Sequence, residues 1–189
     1  MFKMAIRRLA YAMFGTAIGL CAIAWTEPAA PDGCNPIALF QLPGASAAST
    51  EARIAAKCGA RASSRPPNHV AELIEKVRKH LTGQLQDFHD VAIDWTGVDP
   101  FSRQVYELAR TIRPGHTSTY GEIARQLGQP GASRAVGRAL ANNPVPFLVP
   151  CHRVAAAGGK PGGFSAHGGR KTKARMLLIE GVTPVQLEL

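Results

Sequence analysis

Apolar residues recur along this chain with two periods, and the switches between them outline the fold. Leu9 to Phe14 and Leu20 to Trp25 are apolar stretches separated by a turn carrying Gly15 and Gly19, which predicts a β-hairpin. Ile37 to Leu42 predicts a further short strand, stopped by Pro43 and Gly44. From Ala45 to Ala60 the spacing turns helical, with Ala48, Ala52, Ile54 and Ala55 on one face and Ser49 or Thr50 as cap. Arg61 to Asn68 reads as a polar connector. Val70, Leu73, Ile74, Val77 and Leu81 then mark a helix over 70–81, closed by Gly83. Asp87 to Trp95 alternates enough to predict a last strand for this half.

Thr96 to Pro100 links it to a second half of different character. Phe101 to Ile112 predicts a helix with Val105, Leu108, Ala109 and Ile112 on one face, ended by Pro114 and Gly115. A second helix starts from Thr117 or Ser118 as N-cap and carries Tyr120, Ile123, Ala124 and Leu127, with Glu122 near its positive end. After the turn at Gly128 to Gly131, a third helix over Ala132 to Ala141 turns Val136, Ala139 and Leu140 inward and Arg134 and Arg138 elsewhere. Helix, tight turn and basic helix make a helix-turn-helix pattern. Val145, Phe147, Leu148 and Val149 predict a buried strand trimmed by Pro144 and Pro146, because proline removes ladder donors. Val154 to Ala157 continues extended into a loop over 158–169 with six glycines, and Lys171 to Glu180 predicts a closing helix with Met176, Leu177 and Leu178 inward and Gly181 as cap.

Composition changes this picture in three places. Within 189 residues, 22 basic side chains against 13 acidic give a net charge of +9, which suits a polyanionic partner as well as plain solubility. The four cysteines, Cys21, Cys34, Cys58 and Cys151, form no CxxC pair and no zinc-type spacing, so they fit separate reduced thiols in a cytoplasmic protein. Lys3, Arg7 and Arg8 ahead of the apolar run Leu9 to Trp25, with Ala22 and Ala24 as a cleavage box, also resemble a secretory signal. The hairpin is the preferred reading of that run, which is too short and glycine-broken for a membrane span. GGKPGG in the late loop lacks the GK[ST] ending of a phosphate-binding loop.

Chemistry concentrates in NNPVPFLVPCHRV, Asn142 to Val154. A free thiol is only slightly ionised at neutral pH, so a nucleophilic Cys151 needs a base or cation beside it. His152 is adjacent, but neighbouring residues on a strand point to opposite faces, so the two cooperate only if the chain turns sharply after Pro150. An acid such as Glu180 would then hold the imidazolium.

This signature resembles the O6-alkylguanine-DNA alkyltransferases (methylated-DNA–protein-cysteine methyltransferases), over about Pro100 to Gly181. The resemblance implies an α+β chain: a small N-terminal ribonuclease-H-like α/β module (1–95), a linker (96–100) and a C-terminal winged-helix-turn-helix domain (101–189) carrying the active-site cysteine. It implies single-turnover transfer of a methyl or alkyl group from O6 of guanine to Cys151 after base flipping, with O4 of thymine an open alternative. His152 resembles the base acting through a water, Glu180 its carboxylate partner, and Tyr120 the proton donor to the departing guanine. Arg134 resembles the arginine that fills the place of the flipped base, on a helix lying in the minor groove. Ala135 and Gly137 are small enough for close approach to DNA; Arg138 is bulkier than the pattern and is assigned to a phosphate. Asn143, Phe164, Ser165 and Val154 are implied around the substrate pocket, Asn143 tying the turn before the active cysteine and Phe164 and Ser165 lying in a loop whose GGFSAHGG departs from shorter family versions at Ala166 and His167. The implied partner is double-stranded DNA containing O6-alkylguanine, bound by a monomer without membrane, metal or cofactor. The alternative is a non-catalytic module that binds alkylated DNA; members of that kind carry tryptophan where this chain has Cys151.

Overall fold

A computed structural model describes residues 8–27, 33–59, 61–62, 65–159 and 162–183. Lys3 and Arg7, two of the three basic residues of the signal-like reading, lie outside the described residues. The apolar run itself is a hairpin: β1 (Arg8–Thr16) pairs antiparallel with β2 (Gly19–Glu27), from Arg8 opposite Glu27 to Thr16 opposite Gly19. Its two faces explain the unbroken apolarity. Ala10, Ala12, Phe14, Cys21, Ile23 and Trp25 join the main core on one side, and Tyr11, Ala22 and Ala24 join a second, smaller core on the other.

The strand β3 (Ile37–Gln41) adds antiparallel to β2. The helix α1 (Ala47–Cys58) covers the second face, placing Ile54 against Tyr11, Ala22 and Ala24. Its cap is Ser46, in a reciprocal capping box with Ser49, rather than Ser49 or Thr50. The face predicted for it is corrected too: Ala48 and Ala52 are exposed, and Thr50 and Ile54 are buried. The two-residue strand β4 (Arg61–Ala62) pairs parallel with β1, giving the sheet order β3-β2-β1-β4. The helix α2 (Asn68–Leu81) covers the first face with Val70, Leu73, Ile74 and Val77, as its spacing predicts.

The stretch Asp87 to Trp95 is not a strand. It makes one isolated bridge, Ile93 to Ile37, and the Arg110 guanidinium collects the carbonyls of Phe88, His89 and Val91 that a ladder would otherwise have used.

The second half opens with three stacked helices. Asp99 caps α3 (Pro100–Arg110), with proline at the first helical position, where no donor is lost. Thr119, rather than Thr117 or Ser118, caps α4 (Tyr120–Gln126), and Glu122 closes its capping box, so backbone hydrogen bonds depress the Glu122 carboxyl. The third is α5 (Ser133–Ala141), reached through the turn at Gly128.

The predicted strand Val145 to Val149 is also corrected. Val145, Phe147, Leu148 and Val149 are buried, but the backbone is irregular, and Phe147 sits at φ +84°, a conformation rare for a residue with a side chain. The Asn143 side chain holds the segment, donating to Val149 O at 2.9 Å and accepting from Val145 N at 3.0 Å. The Phe147 ring stacks on Phe40 at 5.6 Å and meets Phe88 edge-on at 5.0 Å, so both halves share one core. Short strands β5 (Ser118–Thr119) and β6 (Val154–Ala155) then pair parallel. The closing helix is α6 (Arg170–Ile179); Met176 and Leu177 are buried, whereas Leu178 is exposed and Lys173 takes an inward place.

Candidate active site

Cys151 opens a single 3₁₀ turn, Cys151–Arg153, so the sharp bend needed after Pro150 is present. Its amide bonds to Val149 O at 2.8 Å, and the Arg153 amide bonds to Pro150 O at 2.9 Å. The turn sends the thiol one way and the imidazole another. Cys151 is 8% exposed and lies in the wall of a cavity of about 770 Å³, whereas His152 is fully buried behind it.

Glu180, just past α6, receives four hydrogen bonds in the buried layer behind the cysteine. His152 Nε2 lies 2.9 Å from Oε1 and His80 Nε2 3.0 Å from the same oxygen. Arg153 donates from Nη2 to Oε1 and from Nε to Oε2, each at 2.9 Å, and its third nitrogen bonds to Ile112 O. Burial alone would raise the Glu180 carboxyl, but His152, His80 and Arg153 outweigh it and hold the group well below the usual carboxylate range. The ionised carboxylate orients the His152 ring with Nε2–H toward Oε1. That leaves the Nδ1 lone pair as the basic site, and this buried atom finds no hydrogen-bond partner among the described residues. Burial lowers His152 despite Glu180, so the imidazole is neutral at physiological pH.

Around the thiol burial dominates the shifts. Burial pushes Cys151 up, against a hydrogen bond from Asn143 and the charge of Lys173. Lys173 donates to Val154 O at 2.6 Å, and burial brings its ammonium down to about 8, with Cys151 opposing. Burial also raises the Tyr120 phenol, with Cys151 adding to the effect.

Of the residues singled out from the sequence, Cys151, Tyr120, Arg134, Gly137, Phe164 and Ser165 line the same cavity. Gly137 sets its Cα beside the Tyr120 ring, where an added Cβ would lie 3.9 Å away. Gly162 approaches the phenol more closely: a Cβ there would fall 2.9 Å from the hydroxyl. Asn143 and Val154 are buried next to the cysteine rather than in the cavity wall, and Arg138 is exposed on α5 outside it. His80, Arg153 and Lys173 went unmarked in the sequence; Arg153 belongs to the PCHRV signature itself and was within reach of motif reasoning.

A family model, the DNA-binding domain of 6-O-methylguanine DNA methyltransferase, matches residues 100–182. The methylated-DNA–protein-cysteine methyltransferase of Mycolicibacterium paratuberculosis is 42% identical over 114 residues, 60% of this chain and 67% of that protein. The crystal structure of Mycobacterium tuberculosis O6-methylguanine methyltransferase superposes with a TM-score of 0.71 at 30% identity, covering 91% of this chain and 92% of that one. The structure of M. tuberculosis OGT in complex with DNA gives a TM-score of 0.70 at 28% identity, with 95% and 99% covered. The mixed α/β fold, the cysteine in its cavity and these likenesses agree: the chain belongs to the methylated-DNA–protein-cysteine methyltransferase family.

Proposed function

We propose that this protein repairs DNA by direct reversal, moving an alkyl group from O6 of guanine to Cys151 in a single turnover. The observation that carries this reading is the arrangement of the thiol on a cavity with Tyr120 and Arg134, backed by a neutral His152 whose Nε2 is engaged by Glu180. The alkylated base lies inside the duplex stack, so it must leave the helix to reach Cys151. Arg134 on α5 takes its place in the duplex, while Ala135 and Gly137 let that helix approach and Arg138 reaches a phosphate.

His152 Nδ1 takes the thiol proton through a bridging water, and the thiolate attacks the alkyl carbon. The S–C bond forms as the C–O6 bond breaks, and the departing guanine takes the Tyr120 phenolic proton. The imidazolium then returns a proton to the phenolate, so guanine keeps the phenolic proton, Tyr120 regains one in its place, and the thioether remains on Cys151. Ser165 and the backbone beside Phe164 hold the base at the cavity mouth, and Asn143 fixes the turn behind the cysteine.

The finer architecture belongs to the same proposal. The four-stranded sheet with α1 and α2 supports a ribonuclease-H-like N-terminal module ending near residue 95. Helices α3 to α5, with the β5–β6 pair as a rudimentary wing, support a winged-helix-turn-helix domain from 101 onward. A repair role for chromosomal DNA in turn supports a cytoplasmic location. A binding module without chemistry has no use for a thiol in this cavity, which favours transfer over recognition alone.

Incubation with a duplex carrying O6-methylguanine is expected to add one methyl mass per chain, on the peptide containing Cys151. Cys151→Ser is expected to abolish the gain and retain duplex binding. A wild-type protein that gains no mass, or gains it on another cysteine, would overturn the assignment.

A further inference from the structure

The chemistry above uses residues from the second half of the chain, yet one of the four hydrogen bonds to Glu180 comes from the first. His80 lies in the last turn of α2, is 1% exposed, and approaches its carboxylate partner across 100 positions of sequence. The chain after α2 doubles back so that the Gln86 amide points at His80 Nδ1 from 3.1 Å. The Gln86 carbonyl also lies 3.3 Å from Nδ1, but the ionised carboxylate beside Nε2 can only accept, so the ring proton resides on Nε2 and Nδ1 takes the shorter contact from the amide. That proton faces Glu180 Oε1 at 3.0 Å. The Gln86 amide in the N-terminal half thus supports the tautomer that can donate to the carboxylate.

We propose that His80 is a positioning residue for alkyl transfer: with Arg153 it fixes the Glu180 carboxylate so that Oε1 meets His152 Nε2 and leaves His152 Nδ1 free to accept the thiol proton. This rests on the function proposed above. Among the described residues three donors converge on Oε1, namely His80, His152 and Arg153, while Oε2 receives only Arg153 Nε. An oxygen so engaged is a weak proton acceptor, so the proton gained by the imidazole at Nδ1 is not passed through the ring to the carboxylate. The charged and titratable groups facing His80 are Glu180 from the end of α6 and His152 and Arg153 from the 3₁₀ turn. The rings of Phe88 and Phe147 also pack against it, at 5.4 and 5.3 Å, and hold the imidazole in place.

The test compares His80→Gln, which keeps an N–H donor of similar reach, with His80→Met, which fills the space without one. His80→Met is expected to slow single-turnover transfer by about 10- to 100-fold, the range for losing a hydrogen bond to a charged group. Affinity for unmodified duplex is expected to stay unchanged. The same variant frees Oε1 to interact more strongly with His152, so the acid limb of the rate profile moves to higher pH. His80→Gln is expected to restore both rate and limb most of the way. Nitrogen-15 NMR of the wild-type imidazoles supplies a readout that needs neither variant nor transfer: His80 is expected as the Nε2–H tautomer. An Nδ1–H tautomer for His80, or a His80→Met protein with the wild-type rate and acid limb, would overturn the proposal. Failure of the wild type to transfer at all would instead strike the function itself, because the tautomer is read separately.

Discussion

The halves of this molecule, residues 8–95 and 100–182, place different demands on their sequences. The first must cover both faces of a small sheet, and many side chains satisfy that: Ala10, Ala12 and Phe14 face one core while Tyr11 faces the other. The second must hold named atoms at bonding distance, and few substitutions preserve that. Relatives matched by sequence accordingly span about 60% of the chain, whereas the M. tuberculosis structure superposes over 91% of it. Packing tolerates a change of letters so long as volume and pattern persist; proton transfer does not.

The sharpest way to probe that contrast is at Glu180. Glu180→Gln leaves the Arg153 guanidinium buried without its counter-charge, and unfolding by denaturant is expected to show a loss of about 3–5 kcal/mol. The same group predicts an acid limb. Its folded pKa is depressed, so its stabilisation is present above the unfolded carboxyl value of about 4.3 and is lost as pH falls below that toward the folded value. Glu180→Gln is expected to flatten that limb; an unchanged acid profile would show that other carboxylates set it.

A smaller effect is expected at the exposed Arg134. Arg134→Ala leaves the fold intact, weakens binding to duplexes of every sequence, and lowers the slope of log affinity against log salt by about 1 if the guanidinium displaces a counterion. The smallest belongs to the tolerant half. Ile54→Val, in the second core, is expected to cost about 0.5–1.5 kcal/mol of stability and leave the transfer rate unchanged. A rate change there would mean that the halves are coupled more widely than through His80 and the shared Phe40–Phe147 contact.

Elements with strong periodicity and local stop signals were legible in the sequence: the hairpin, the helix over 70–81 and the three helices after residue 100. Cys151 and His152 were legible because one motif names them together, and Glu180 because the family resemblance extends to the end of the last helix. The failures share a cause. Asp87 to Trp95 and Val145 to Val149 are apolar because they are buried, but burial does not decide which partner satisfies the backbone. Those partners are the side chains of Arg110 and Asn143, neither of which announces itself in a hydrophobic pattern. Capping was misplaced by one to four positions where several hydroxyl residues stand close together, as at Ser46, Ser49 and Thr50. His80 on an apolar helix face reads as an ordinary core histidine, since its partner lies 100 positions away. Lys173 sits among basic residues that read as a solvated surface, and only the fold turns it inward to Val154.

The two-sided burial of β1 and β2 has a consequence for how the protein is made. Translation delivers residues 8–27 to the ribosomal exit before the helices at 47–58 and 68–81 exist to cover them. The nascent ribbon therefore emerges oily on both sides, with a water-aversion profile shared by export leaders, and product truncated shortly after it would present two adhesive surfaces to its neighbours.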